Sequence, residues 1–196
     1  MTPHTIQQIA CQQVLVADNT VFSVQWLDLP AELGRGLTPE QVLERYLAAI
    51  QRLTLGLIRP RVRPDGVQFL LANRLALLCF LPPLPEQEQD ARMLALRICG
   101  GLLVQTAQCD RGELRFSVQE LPDQRLRVTL RLSDYCPLLL GSNRPSLLRR
   151  WLYRLTQALL HRLVTIRFLR LLYRDLGGTA RSIRTTRVSV QAGRPT

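Results

Sequence analysis

A chain of 196 residues can bury a sizeable core without metal or disulfide staples, and 46% hydrophobic against 21% charged residues excludes the composition of a disordered chain. All 26 basic residues are Arg, and the formal net charge is +11. Residues 1–140 balance fourteen Arg with fourteen acids, whereas residues 141–196 hold twelve Arg and one acid, Asp175; the excess lies entirely in the C-terminal part and predicts an anionic partner there.

In chain order, Gln12 to Ala17 and Val21 to Leu29 predict two strands about the turn-forming pair Asp18-Asn19. Thr38-Pro39-Glu40-Gln41 supplies an N-cap, a proline at the first helical position and an acid in the first turn. With Val42, Leu43, Tyr46, Leu47 and Ile50 at helical spacing, it predicts a helix over 39–56. Arg59 to Pro64, with three arginines and two prolines, predicts an extended surface segment. Val67 to Ala72 and Leu75 to Leu81 predict a second strand pair around Asn73-Arg74, ended by Pro82-Pro83-Leu84-Pro85.

Glu86 to Cys99 is acidic at its front, rich in helix formers and followed by Gly100-Gly101. This predicts a helix with a glycine C-cap, with a strand in its second half as the alternative; Glu86, Glu88 and Asp90 then read as solvated acids at a helix start. Leu102 to Gln108, Glu113 to Leu121 and Arg125 to Tyr135 predict an antiparallel meander joined by Asp110-Arg111-Gly112 and Pro122-Asp123. Leu126, Val128, Leu130 and Leu132 alternate with Arg125, Arg127, Thr129, Arg131 and Ser133, as Leu114, Phe116 and Val118 do with Arg115, Ser117 and Gln119. Period two puts one face on the core and one in water.

From Ser146 a long helix is expected to run to Leu176 and stop at Gly177-Gly178, roughly 46 Å at about 1.5 Å per residue, with a bend near Val164-Thr165-Ile166. Its apolar residues nearly encircle it, which predicts cover from the sheet, from the N-terminal elements or from a second copy in a homo-oligomer. Residues 1–178 read as a single α+β domain, an antiparallel sheet packed against this helix. Residues 179–196 read as a basic tail, for which disorder and a short strand over Arg187 to Gln191 are equal readings.

Gly-Gly-Leu-Leu-Val (100–104), Gly-Glu-Leu-Arg-Phe-Ser-Val (112–118), Leu-Arg-Val-Thr-Leu-Arg-Leu-Ser-Asp-Tyr (126–135) and a helix carrying Arg150, Tyr153, Gln157 and His161 form one pattern over residues 98–175. It resembles the back half of the START/SRPBCC (helix-grip) superfamily, and most of all its bacterial branches of unknown function. The resemblance implies an antiparallel sheet that grips a long C-terminal helix, with an apolar cavity between them for a lipid or another hydrophobic ligand. Phe116, Val128, Leu130 and Tyr135 are the pocket residues expected on that basis. A helix at 86–99 would instead give the order strand, helix, strand, strand, helix, strand over 21–108, the ferredoxin-like order common among RNA-binding domains.

The five cysteines show no C-x-x-C pair and predict reduced, mostly buried thiols in a cytoplasm. MTPHTIQQIA has no secretory pattern, and seven arginines interrupt Leu147 to Leu176, too many for a membrane span. A cytoplasmic protein, at most peripheral to a membrane, is expected. The two histidines, His4 and His161, lack paired ligand spacing, so no metal is expected. No Gly-rich phosphate loop or nucleophile elbow is present, so no cofactor is expected and a non-enzymatic role is favoured, with an enzyme acting on a hydrophobic substrate as the third reading. His161 reads as a helix-face histidine meeting a carboxylate or water. The remaining signal is basic: Arg149, Arg150, Arg154, Arg162, Arg167, Arg170 and Arg174, with Arg181, Arg184, Arg187 and Arg194 in the tail. The expected function is therefore a non-enzymatic binding protein with an apolar cavity and a basic helix and tail on an anionic membrane. In the alternative, the same arginines with Arg59, Arg61 and Arg63 contact the phosphates of RNA or DNA.

Overall fold

The structure, a computed structural model, describes residues 7–16, 20–88, 91–105, 111–138, 159–179, 183–191 and 194–195. It is α+β. Strands β1 (Gln7–Leu15) and β2 (Val21–Pro30) precede helix α1 (Pro39–Leu53); β3 (Ile58–Arg63), β4 (Gly66–Leu71), β5 (Leu75–Phe80), β6 (Leu84–Glu88), β7 (Ala91–Gly100), β8 (Glu113–Leu121) and β9 (Arg125–Tyr135) follow. Then come α2 (Leu159–Asp175), β10 (Ile183–Arg187), β11 (Val190–Gln191) and β12 (Arg194–Pro195). Ten strands make one sheet in the order β10-β1-β2-β9-β8-β7-β5-β4-β3, with β6 paired beside β7, and β11 and β12 form a separate pair.

Helix α1 starts where its sequence provides a capping box. Thr38 Oγ1 accepts from the Gln41 backbone N–H at 3.3 Å and Gln41 Oε1 accepts from the Thr38 N–H at 3.2 Å, so two of the orphan donors of the first turn are satisfied. Its buried face is Val42, Leu43, Tyr46, Ala49 and Ile50. It ends at Leu53, three residues before the expected 56, because the Thr54 hydroxyl donates to Ile50 O at 2.8 Å and accepts from Ile58 N–H at 3.1 Å, which ties the helix end to β3. Thr38→Ala is expected to cost about 1 kcal/mol in urea unfolding.

The core lies between one face of the sheet and the two helices. Leu114 faces Leu132, Phe116 faces Leu130 and Val118 faces Val128 across β8 and β9, all buried, as the alternation predicts. The Tyr46 ring meets Phe116 edge-on at 5.3 Å and Phe168 of α2 at 5.2 Å, so one aromatic side chain joins sheet, α1 and α2. On the opposite face of the sheet, Arg127 makes a two-pronged pair with Asp28 at 2.6 and 2.8 Å and lies 5.3 Å from the Trp26 ring centroid. Arg115 pairs with Glu86 at 2.9 Å and with Glu113 at 2.8 Å. Arg131 sits directly across from Arg115; burial and that like charge lower its pKa.

Several expectations are corrected. The described residues of 86–99 form no helix: residues 86–88 belong to β6 and residues 91–99 to β7, as the strand alternative for the second half had it. Glu86 is a strand residue held by Arg115 rather than a helix-start acid, and Asp90 lies outside the described residues. Met93, Leu94, Ala95 and Leu96 are buried consecutively because β7 is paired on both sides, with β6 and with β8; pairing and burial on both faces override helix propensity. The ferredoxin-like order over 21–108 thereby loses its second helix. Residues 102–105 form a loop with a single bridge, Val104 to Pro137, rather than a strand; residues 106–108 lie outside the described residues.

The helix expected over Ser146 to Leu176 is described as the 17-residue α2, Leu159–Asp175, and residues 146–158 lie outside the described residues. It stops as its glycines predict, with Gly177 at φ 88 and Gly178 N–H donating to Tyr173 O at 2.9 Å. It is not the last element. Ile183 to Arg187, expected as tail, pair in parallel with Gln7 to Cys11, so the sheet is larger than expected and mixed rather than antiparallel. Backbone groups of β1 left open at the sheet edge account for this pairing. Among the thiols, Cys11 and Cys136 are buried and Cys79 half-buried, but Cys99 is exposed.

Candidate functional site

The site is built around an irregularity at the end of β9. Strict alternation from Leu126 would put Tyr135 on the arginine face. Between Ser23/Leu132 and Val21/Tyr135, however, the β2–β9 register slips, and Asp134 takes φ 52. The extra residue turns Tyr135 to the side of Leu132. Its hydroxyl donates to Leu103 O at 2.8 Å. Leu103 is itself held by its N–H to Leu77 O at 3.0 Å and by Leu138 N–H to its carbonyl at 2.8 Å. Gly101, at φ 117, allows this close approach, since a Cβ there would lie 2.4 Å from Leu77 O and 2.7 Å from Leu78 Cα.

Between this end of the sheet and the two helices lies a cavity of about 140 Å³. Tyr46, Ile50 and Thr54 line it from α1 and the turn after it, and His161 and Val164 from α2. Ile58, Phe69, Leu77, Leu78 and Phe80 line it from β3 to β5. Ile98, Leu114, Leu132 and Tyr135 close it from β7 to β9, with Leu103 from the loop. None of these is an acid or an arginine.

Burial pushes the Tyr46 hydroxyl up to about 12, and the neighbouring Thr165 hydroxyl offsets part of that rise. The two face each other without a well-formed hydrogen bond, since Thr165 Oγ1 has no partner in bonding geometry among the described residues. Burial moves His161 the other way, from 6.5 down to about 4, so the imidazole is neutral at physiological pH. It lines the apolar cavity, and among the described residues no carboxylate meets it. Between about pH 6.5 and pH 4 the unfolded chain holds a proton here that the folded chain does not. This contribution to stability is complete above 6.5 and lost as pH falls toward 4. His161→Phe is expected to make the acid side of the stability–pH curve shallower, read by thermal melts from pH 7 to pH 4.

Of the four expected pocket residues, Tyr135 is on the wall, while Phe116, Val128 and Leu130 lie in the closed core on the same sheet face. Tyr46, Ile50, Phe69 and His161 were not among the expected pocket residues; the shared helix face of Tyr46 and Ile50 was the available signal. Among the expected anionic-partner residues, Arg167, Arg170 and Arg174 are exposed on α2, Arg184 and Arg187 on β10, and Arg162 is half-buried. Arg170 donates to Ile183 O and Thr185 Oγ1, both at 3.3 Å, joining the helix and strand arginines into one surface. Arg149, Arg150, Arg154 and Arg181 lie outside the described residues. Arg59, Arg61 and Arg63 are on β3, at the far edge of the sheet order from β10, so the two arginine groups belong to opposite edge strands. Among the described residues, no helix is long and apolar enough to cross a membrane.

Comparison with protein-family models, with characterised proteins and with solved structures finds no match for this chain.

Proposed function

We propose that this chain is a non-enzymatic binding protein that holds a hydrophobic ligand in the cavity between the sheet, α1 and α2, and presents the arginines of α2 and β10 to an anionic membrane surface. The observation that carries the reading is the cavity itself, walled by apolar side chains from eight elements and, among the described residues, by no charged group. A dry cavity of about 150 Å³ is large enough to take benzene, and each methylene buried contributes about 0.8 kcal/mol. The antiparallel run β2-β9-β8-β7-β5-β4-β3, with α1 against β3, β7 and β8 and α2 against β1, β2 and α1, supports the reading only as a coarse α+β layout, since α2 as described is neither long nor the last element. Exposed Arg167, Arg170, Arg174, Arg184 and Arg187 support the membrane part, since each arginine near anionic lipid contributes about 1 kcal/mol.

Two experiments on the full chain test this. Organic extraction of the purified protein followed by mass spectrometry is expected to release an apolar compound in stoichiometric amount. Sedimentation with phosphatidylglycerol vesicles is expected to exceed that with phosphatidylcholine and to fall roughly a hundredfold in affinity for the Arg167→Gln, Arg170→Gln, Arg174→Gln triple variant. Co-purifying nucleic acid with steeply salt-dependent RNA binding would favour the phosphate-contacting alternative. Absence of any apolar compound together with equal sedimentation on both vesicles would contradict the proposal.

A further inference from the structure

The wall of the cavity also specifies what kind of molecule fits, granted the reading above that the cavity is a ligand site. Its size, about 140 Å³, suits a compact molecule of one or two small fused rings rather than a long acyl chain. Its charge disfavours ions: with no acid or arginine on the wall among the described residues, a carboxylate or ammonium group would enter unpaired by them and lose its hydration without compensation. Two of its polar groups are committed: the Thr54 hydroxyl donates to Ile50 O and accepts from Ile58 N–H, and the Tyr135 hydroxyl donates to Leu103 O. The Tyr46 hydroxyl faces Thr165 without a well-formed hydrogen bond.

His161 differs from Thr54 and Tyr135. It stands on the wall with no hydrogen bond to another described residue and with burial as the sole influence on its protonation. A neutral imidazole carries one N–H donor and one lone-pair acceptor, and a polar group in an apolar cavity gains from a partner that restores what water gave it. We propose that the cavity selects a neutral, compact ring compound bearing one hydrogen-bonding group, and that this group meets the His161 imidazole while the ring packs on Ile50, Ile98 and Leu132. His161 is thus the specificity-determining residue of the site, and the surrounding apolar wall provides the affinity.

The test uses calorimetric titration of the full chain with indole and with indene, which share a fused-ring skeleton but differ in the N–H, and with benzoate as the charged comparator. Indole is expected to bind about tenfold more tightly than indene, the size of one buried hydrogen bond, and benzoate more weakly than either. His161→Phe should bring the ratio of indole to indene affinity to about one, whatever the change does to both affinities in common. His161→Gln, which restores a donor and an acceptor, should recover part of the preference. Equal affinity for indole and indene in the native chain, a preference that survives His161→Phe, or tighter binding of benzoate would overturn the assignment while leaving the cavity a ligand site. Failure of both indole and indene to bind would overturn the ligand-site reading as well.

Discussion

Phe116→Ala is expected to destabilise the protein by about 3–5 kcal/mol, read as a lower urea midpoint at unchanged slope. The ring is fully buried on β8, opposite Leu130, and meets Tyr46, which in turn meets Phe168. Truncation removes the transfer energy of a phenyl group, the edge contact with Tyr46 and the brace that carries α1 and α2 onto the sheet. The strands on either side are paired throughout their length, so the backbone cannot close the void, and the loss belongs in the upper part of the range for core truncations. A loss below about 1 kcal/mol would mean that the helices settle freely onto the sheet and that the aromatic contact is not a fixed brace.

The second large effect is expected at Gly101. An alanine Cβ would stand 2.4 Å from Leu77 O, 2.7 Å from Leu78 Cα and 2.8 Å from Leu77 C. All three are backbone atoms of a paired strand and cannot swing aside, and φ 117 is itself unfavourable for any residue with a Cβ. The loop must therefore lift from β5 and break the bonds from Leu102 N–H to Ala76 O at 2.9 Å and from Leu103 N–H to Leu77 O at 3.0 Å. Strain and lost hydrogen bonds together should cost about 3 kcal/mol in urea unfolding. Because Leu103 is a wall residue and the acceptor for Tyr135, Gly101→Ala should weaken indene binding as well as stability. Phe116, by contrast, lies behind the wall.

What was legible in the sequence was local. The capping box at Thr38 and Gln41, the helical spacing from Val42 to Ile50 and the period-two alternation of β8 and β9 each state their structure within a dozen residues. What was not legible depends on partners far away in the chain. Met93 to Leu96 are good helix formers made into a strand by β6 and β8 on either side. The tail becomes β10 only because β1, from the other end of the chain, offers it an edge.

The site shows the same division. The alternation placed Leu114 and Leu132 on the inner face, yet the bulge at Asp134 that brings Tyr135 beside them leaves no periodic trace. The other walls come from α1, β3 to β5 and α2, and the first four of these lie wholly outside residues 98–175, where the family resemblance was found. His161 reads along α2 as one polar residue among many; only the fold shows that it faces a cavity whose described lining residues carry no acid or arginine.

Titration of the full chain with benzene, followed through side-chain methyl resonances, tests most directly whether the cavity is a binding site. Saturable shifts are predicted at the methyls of Ile50, Ile98, Leu132 and Val164, which surround the cavity, with none at Val24 on the opposite face of the sheet. The account would be contradicted if those four methyls failed to respond, or if Val24 shifted as strongly as they do.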